Sequence, residues 1–229
     1  MKTRAEAAEL ARALVAGAKG AGRKACALVT DMSQPLGFAV GNANEVQEAL
    51  DVLRGDRRVP HVAELSVELA ARMVALGTGV PVDAARERCR ANLANGAALD
   101  RFVRMVGLHG GRLDAFERDL ADFRRKGPRL EVRAARAGWV ASVDAEGVAQ
   151  AAFELGAGRA QTSDGIDPFA GVDLCVAQGD RVEAGTLLAR VSSGLRPEML
   201  ETAAARVRSA VSVGGAAPAA RALVLETIA

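Results

Sequence analysis

Residues 25–48 set a buried strand, a proline-glycine turn and a helix end to end. Ala25, Ala27 and Val29, with Cys26 and Leu28 between them, form a short apolar run that stops at Thr30-Asp31. Pro35-Leu36-Gly37 then turns the chain, and Asn42 with Glu45 opens an amphipathic helix whose expected apolar face is Val46, Ala49, Leu50 and Leu53. A strand passed by a tight turn to a helix is the repeating unit of α/β folds. Ahead of it, residues 3–19 read as a helix. Thr3 with Glu6 forms a capping box, Leu10, Leu14, Val15 and Ala18 form one stripe, and Gly20 and Gly22 end it. A helix followed by a buried strand implies a βαβ unit whose first strand is not in this sequence, so the chain is expected to begin in mid-fold.

The pattern downstream is helical as far as residue 126. Helices are expected at 61–76, with Leu65, Leu69, Met73 and Leu76 on one face and Gly77 at the end, at 83–95 with Asp83 as cap, and at 97–106. Gly110-Gly111 breaks the pattern, and a stretch with Phe116, Leu120 and Phe123 leads to Lys126-Gly127-Pro128, the best boundary in the chain. Beyond Pro128, strands are expected at 130–134, 138–140, 172–176 and 186–191, with a helix at 144–155, another at 198–211 and a last strand at 221–228. Gly214-Gly215 reads as a linker. Residues 177–191, AQGDRVEAGTLLARV, resemble the half-barrel repeat of biotinyl and lipoyl domains but lack the modified lysine, which argues against a carrier role. The fold class is therefore α/β: a partial α/β domain over 1–127, then a small α+β domain with half-barrel strands over 128–229.

Charge and composition exclude several classes. A net charge of +2 carries neither a nucleic-acid footprint nor an acidic tail. No apolar run approaches the ~20 residues a membrane helix needs, and the first residues lack the apolar stretch of a signal peptide, so neither nucleic acid nor membrane is an expected partner and a cytoplasmic location is the default. With no Tyr and one Trp, Ala, Leu and Val must fill the core. Cys26, Cys89 and Cys175 are odd in number and far apart, which supports neither zinc nor a disulfide framework; three small buried or idle thiols are expected. His61 and His109 have no nucleophile or carboxylate at an interpretable spacing. Asp31 reads as a turn aspartate, and no Lys-Ser/Thr follows the glycines at 107–111 to make a phosphate loop.

Residues 28–48, LVTDMSQPLGFAVGNANEVQE, resemble the signature block of the thymidine and pyrimidine-nucleoside phosphorylases, which typically reads TDMxQPLGxAVGNxxEVxEA. The match is TDMSQPLG at 30–37, AVGN at 39–42 and EVQEA at 45–49. Further on, Gly138-Trp139-Val140, ELGAGR at 154–159, Ile166-Asp167-Pro168 and Gly171 fall in the order of that family's C-terminal domain, and Met1-Lys2-Thr3 resembles an internal family segment. The resemblance implies reversible phosphorolysis of a pyrimidine nucleoside to free base and (deoxy)ribose 1-phosphate, a pentosyl transfer, by a homodimer without an organic cofactor. It also implies a structural potassium ion held by the carbonyls of Leu36 and Ala39 and the side chain of Glu48. Phe38 departs from the commoner Arg or Tyr. Asn44 replaces a frequent Leu or Val, which is expected only to soften the first turn of the helix. The family's Gly/Ser/Thr-rich phosphate loop with its Lys, and its Arg, Ser and Lys base clamp, have no counterpart here, so no catalytic or substrate-binding residue carries over and the ion cage is expected to be incomplete. The chain is thus expected to be a C-terminal half, inactive alone. Alternatives are a non-catalytic remnant, one subunit of a split enzyme completed in trans by an N-terminal half, or, within the active family, a nucleoside-monophosphate phosphorylase.

Overall fold

A computed structural model describes residues 3–56 and 58–229, so Met1 and Lys2 of the N-terminal resemblance lie outside the described residues. Helix α1 (Arg4–Gly20) starts with the expected capping box: the Glu6 N–H donates to Thr3 Oγ1 at 3.2 Å and the Thr3 N–H to Glu6 Oε2 at 3.1 Å. Its buried side chains are Ala8, Ala11 and Val15, whereas Leu10 and Leu14 stay exposed. Small residues let the helix lie close on a two-stranded sheet, so that of the expected stripe Val15 is buried while its two leucines stay outside.

That sheet pairs β1 (Ala27–Thr30) with β9 (Val224–Ile228), antiparallel, with Ala27 opposite Ile228. The expected parallel βαβ unit is not what β1 joins among the described residues. Its partner is the C-terminal strand, a pairing that local patterning cannot announce. After the turn comes an unforeseen three-residue strand, β2 (Ala39–Gly41), which pairs antiparallel with β5 (Gly171–Leu174).

Helix α2 (Ala43–Leu53) follows Asn42, whose side chain does not cap it but donates to the Ala157 carbonyl at 2.7 Å. Ala43, Asn44, Leu50 and Val52 are buried; of the expected face, Leu50 is fully buried while Val46 is exposed. Four helices form a peripheral layer: α3 (Pro60–Thr78), α4 (Val82–Ala94), α5 (Ala97–Leu108) and α6 (Leu113–Lys126). Helix α3 runs through Gly77 and is closed instead by Gly79 in the left-handed conformation, its N–H donating to the Ala75 carbonyl. Pro81, not Asp83, precedes α4, and Asp83 sits in its first turn.

The densest core lies beyond Pro128. Strand β3 (Arg129–Arg133), β5 and β7 (Leu187–Ser192) join β2 in an antiparallel sheet of order β2-β5-β7-β3. A second sheet has the order β6-β4-β8, from β4 (Gly138–Val143), β6 (Arg181–Val182) and β8 (Val211–Gly214). Helix α7 (Ala145–Ala152), capped by Asp144, and α8 (Leu200–Ala210) cover them. Val132, Val140, Val148, Val172, Val191 and Val207 are fully buried there, so branched aliphatics fill the space that aromatics fill elsewhere. The helix expected over 198–211 gives way at Val211 to β8, and Gly214 pairs with Trp139 instead of serving as a linker. Cys26 and Cys89 are half-buried and Cys175 is exposed, so none of the three free thiols is fully buried. Among the described residues, no helix is long and apolar enough to cross a membrane.

Candidate functional site

The turn between β1 and α2 is built around one carboxylate. Glu48, a turn and a half into α2, reaches back so that its Oε1 accepts the Phe38 N–H at 2.7 Å and the Ala39 N–H at 3.0 Å. Three residues earlier on the helix, Glu45 Oε1 accepts the Gly41 N–H at 2.7 Å. Two glutamates at i and i+3 thus share one helix face and hold the incoming strand by its backbone.

The strand register explains why the Ala39 and Gly41 N–H groups are available. Phe38 lies just before β2: its carbonyl accepts from the Leu174 N–H at 2.6 Å, while its own N–H goes to Glu48 rather than to β5. Ala39, opposite Asp173, is by alternation a non-hydrogen-bonded position, so its N–H and C=O point away from β5. Because β2 is the sheet edge, the Ala39 carbonyl leaves on the side where Glu48 lies. The site residues Leu36, Ala39 and Glu48 therefore belong to one turn, with Leu36 on its exposed outer part.

Burial pushes the Glu48 carboxyl above the usual glutamate range; the Phe38 and Ala39 N–H groups pull it down, and the charges of Glu45 and Asp173 add to the rise. Among the described residues no His, Cys, Asp and Glu side chains gather in threes as a metal cluster. What the turn offers is hard oxygen: one carboxylate and backbone carbonyls.

Asn44 is the site residue that sequence reasoning misjudged. It is buried, and its Nδ2 donates to the Val172 carbonyl at 3.2 Å and to Asp173 Oδ1 at 3.2 Å, while its Oδ1 accepts the Glu45 N–H at 3.0 Å. Rather than soften the helix start, it ties α2 to β5. In a helix with five polar residues nothing local singles Asn44 out, because its partners lie too far along the chain to be read locally.

Two cavities flank the turn. One of about 920 Å³ is lined by Ala39, Glu48 and Asp173 together with Arg124, Arg129 and Arg190. The other, about 520 Å³, is lined by Leu36, Gly37, Gln34, Gln178 and the connection leading to β9. Phe38 borders both and packs on the C-terminal core. Asp31 behaves as a turn aspartate, its Oδ1 accepting from the Ser33 N–H at 3.1 Å and from Arg221 at 2.9 Å. His61 lies 3.8 Å from Glu64 on an exposed helix start, and His109 Nδ1 lies 2.9 Å from the Met105 carbonyl; neither reaches Glu48.

Residues 139–214, from β4 through β8, match the family model described as the pyrimidine nucleoside phosphorylase C-terminal domain. Over all 229 residues the chain is 35% identical to the thymidine phosphorylase of Mesorhizobium japonicum, covering 52% of that protein. It is 39% identical over 186 residues to the pyrimidine-nucleoside phosphorylase of Bacillus subtilis, 81% of this chain and 42% of that one. The chain belongs to the thymidine and pyrimidine-nucleoside phosphorylase family. The thymidine phosphorylase of Burkholderia cenocepacia, 37% identical over 187 residues, is similar across 81% of this chain and 42% of its own length. This phosphorylase-family chain spans about half the length of the curated relatives it matches. The whole-length match takes in the Glu48 turn as well as the C-terminal domain.

Proposed function

We propose that this chain serves phosphorolysis of pyrimidine nucleosides in the cytoplasm, supplying the C-terminal part of the enzyme and a cation-holding turn that braces the phosphate site. The observation that carries the reading is the Glu48 turn, built within a chain whose whole length aligns with about half of a thymidine phosphorylase. Phosphorolysis needs phosphate held beside the anomeric carbon and stabilisation of the departing base anion, work done by positioning and electrostatics. The phosphate loop and base clamp have no counterpart among these residues, so the 229 residues alone do not turn over substrate, and the family's N-terminal half is what completes the site.

Potassium fits the turn. A half-buried carboxylate beside Glu45 and Asp173 gains from a nearby cation, and the Ala39 carbonyl leaves the open strand edge beside it. Glu48 and the carbonyls of Leu36 and Ala39 would hold the ion, which supplies only positive charge. This chain's residues do the bracing: α2 holds β2 through Glu45 and Glu48, and Asn44 fixes α2 to β5. The division into 1–127 and 128–229, with half-barrel strands in the second part, is part of the same proposal; β1 and β2 pair with strands of the second part. The complete enzyme is proposed to be a homodimer.

The test is phosphate-dependent release of thymine or uracil, measured for the purified chain and for the chain mixed with an N-terminal half from a family member. No release alone and release on mixing is the expected result, with Glu48→Gln raising the potassium needed for half-maximal rate. Turnover by the chain alone would overturn the split-site reading, and an unchanged potassium requirement would remove Glu48 from the ligand set. No release on mixing favours the second reading, a non-catalytic remnant.

A further inference from the structure

Gly37 lies under the Glu48 carboxylate with no side chain between them. A Cβ built on it would overlap Glu48 Oε2 outright and would sit 2.7 Å from Cδ and 3.0 Å from Oε1. These are the three atoms nearest to that position, and all belong to Glu48. The backbone does not itself demand glycine, because Gly37 is not among the glycines with positive φ. What excludes a side chain at residue 37 is the carboxylate, held in place by the Phe38 and Ala39 N–H groups that donate to its Oε1.

We propose that Gly37 is the positioning residue of the cation turn: its bare Cα lets the Glu48 carboxylate lie against the turn, with Oε1 committed to the two N–H groups and Oε2 left as the oxygen that a cation can take. This rests on the reading of Glu48 as an ion ligand, whereas the seating of the carboxylate on Gly37 stands without an ion. Any side chain at 37 swings the carboxylate away. Gly37 thus acts through Glu48 and touches neither phosphate nor nucleoside.

The experiment is a double-variant cycle on the 229-residue chain, read by the backbone amide resonances of Phe38 and Ala39 and by thermal midpoint. Gly37→Ala is expected to move both resonances toward their positions in Glu48→Ala and to lower Tm by about 3 °C or more. In the Glu48→Ala background the same substitution should move neither resonance further and cost no more Tm, because nothing remains for the methyl to displace. If Gly37→Ala alone fails to fold, a folded Gly37→Ala/Glu48→Ala chain supports the proposal and an unfolded one overturns it. Unmoved Phe38 and Ala39 resonances, or an equal Tm loss in both backgrounds, also overturns it. Absence of a potassium effect in the complemented enzyme would count against the ion reading while leaving these resonances as they are, so the two failures are distinguishable.

Discussion

Asn44 shows how one side chain can decide whether two segments of a chain share a core. Its amide joins the start of α2 to a carbonyl and a carboxylate on β5, and its oxygen meets the next N–H of the helix. Leucine at that position would fill similar space and leave the Val172 carbonyl and Asp173 without that donor. Leaving buried polar partners unsatisfied costs about 1–3 kcal/mol, so Asn44→Leu should lower the unfolding free energy by that order in a urea titration. A variant as stable as the parent would mean that water replaces the amide. Resemblance to the phosphorylases made Glu48 legible from sequence, because a carboxylate recurs there in a fixed motif. Asn44 and Gly37 were not legible as site residues, since what each does depends on an atom brought up by folding.

Among the elements, those with local causes matched the sequence and those with distant causes did not. Thr3 and Glu6 announce α1 because both partners of the capping box lie within four residues. Strand β2 is three residues long and exists because β5 lies beside it, so no window around Ala39 contains the reason for it. Val211 and Val213 carry branched side chains that favour β8, yet the alanine-rich run before them hides where the helix stops. The α3–α4 pair has a charged seam: Arg86 Nε donates to Glu68 Oε2 at 2.8 Å, and Arg72 reaches Glu68 Oε1 at 2.7 Å. Arg86 holds the Glu68 carboxyl below the usual glutamate range, with burial opposing and Arg72 assisting. A depressed carboxyl stabilises the fold above its unfolded value, about 4.3, and that contribution disappears as pH falls through the lower folded value. The stability difference between the parent and Glu68→Gln should therefore be flat above about pH 5 and shrink on acidification; a difference unchanged down to the acid transition would show that the seam carries no linkage.

At the scale of the whole molecule, stability is unevenly distributed. Beyond Pro128, two sheets and two helices share one continuous apolar core, whereas α3 and α4 each bury a single alanine and α5 buries none. Between these extremes stands the pairing of β1 with β9, two short strands covered by the small residues of α1. Nearly the entire chain lies between the two strands, so their meeting closes a very long loop and bears a correspondingly large closure entropy. Folding order follows from that arithmetic. The compact core beyond Pro128 can assemble from nearer contacts, and the terminal pairing closes after it. Native-state hydrogen exchange should find the amides of β1 and β9 opening at markedly lower free energy than those of β3 and β7, with the core protected throughout. Uniform protection across all four strands would mean a single cooperative unit. Time is thus written into the position of β9: a ribosome releases it after β1 to β8, and until it emerges β1 lacks the partner it has in the fold.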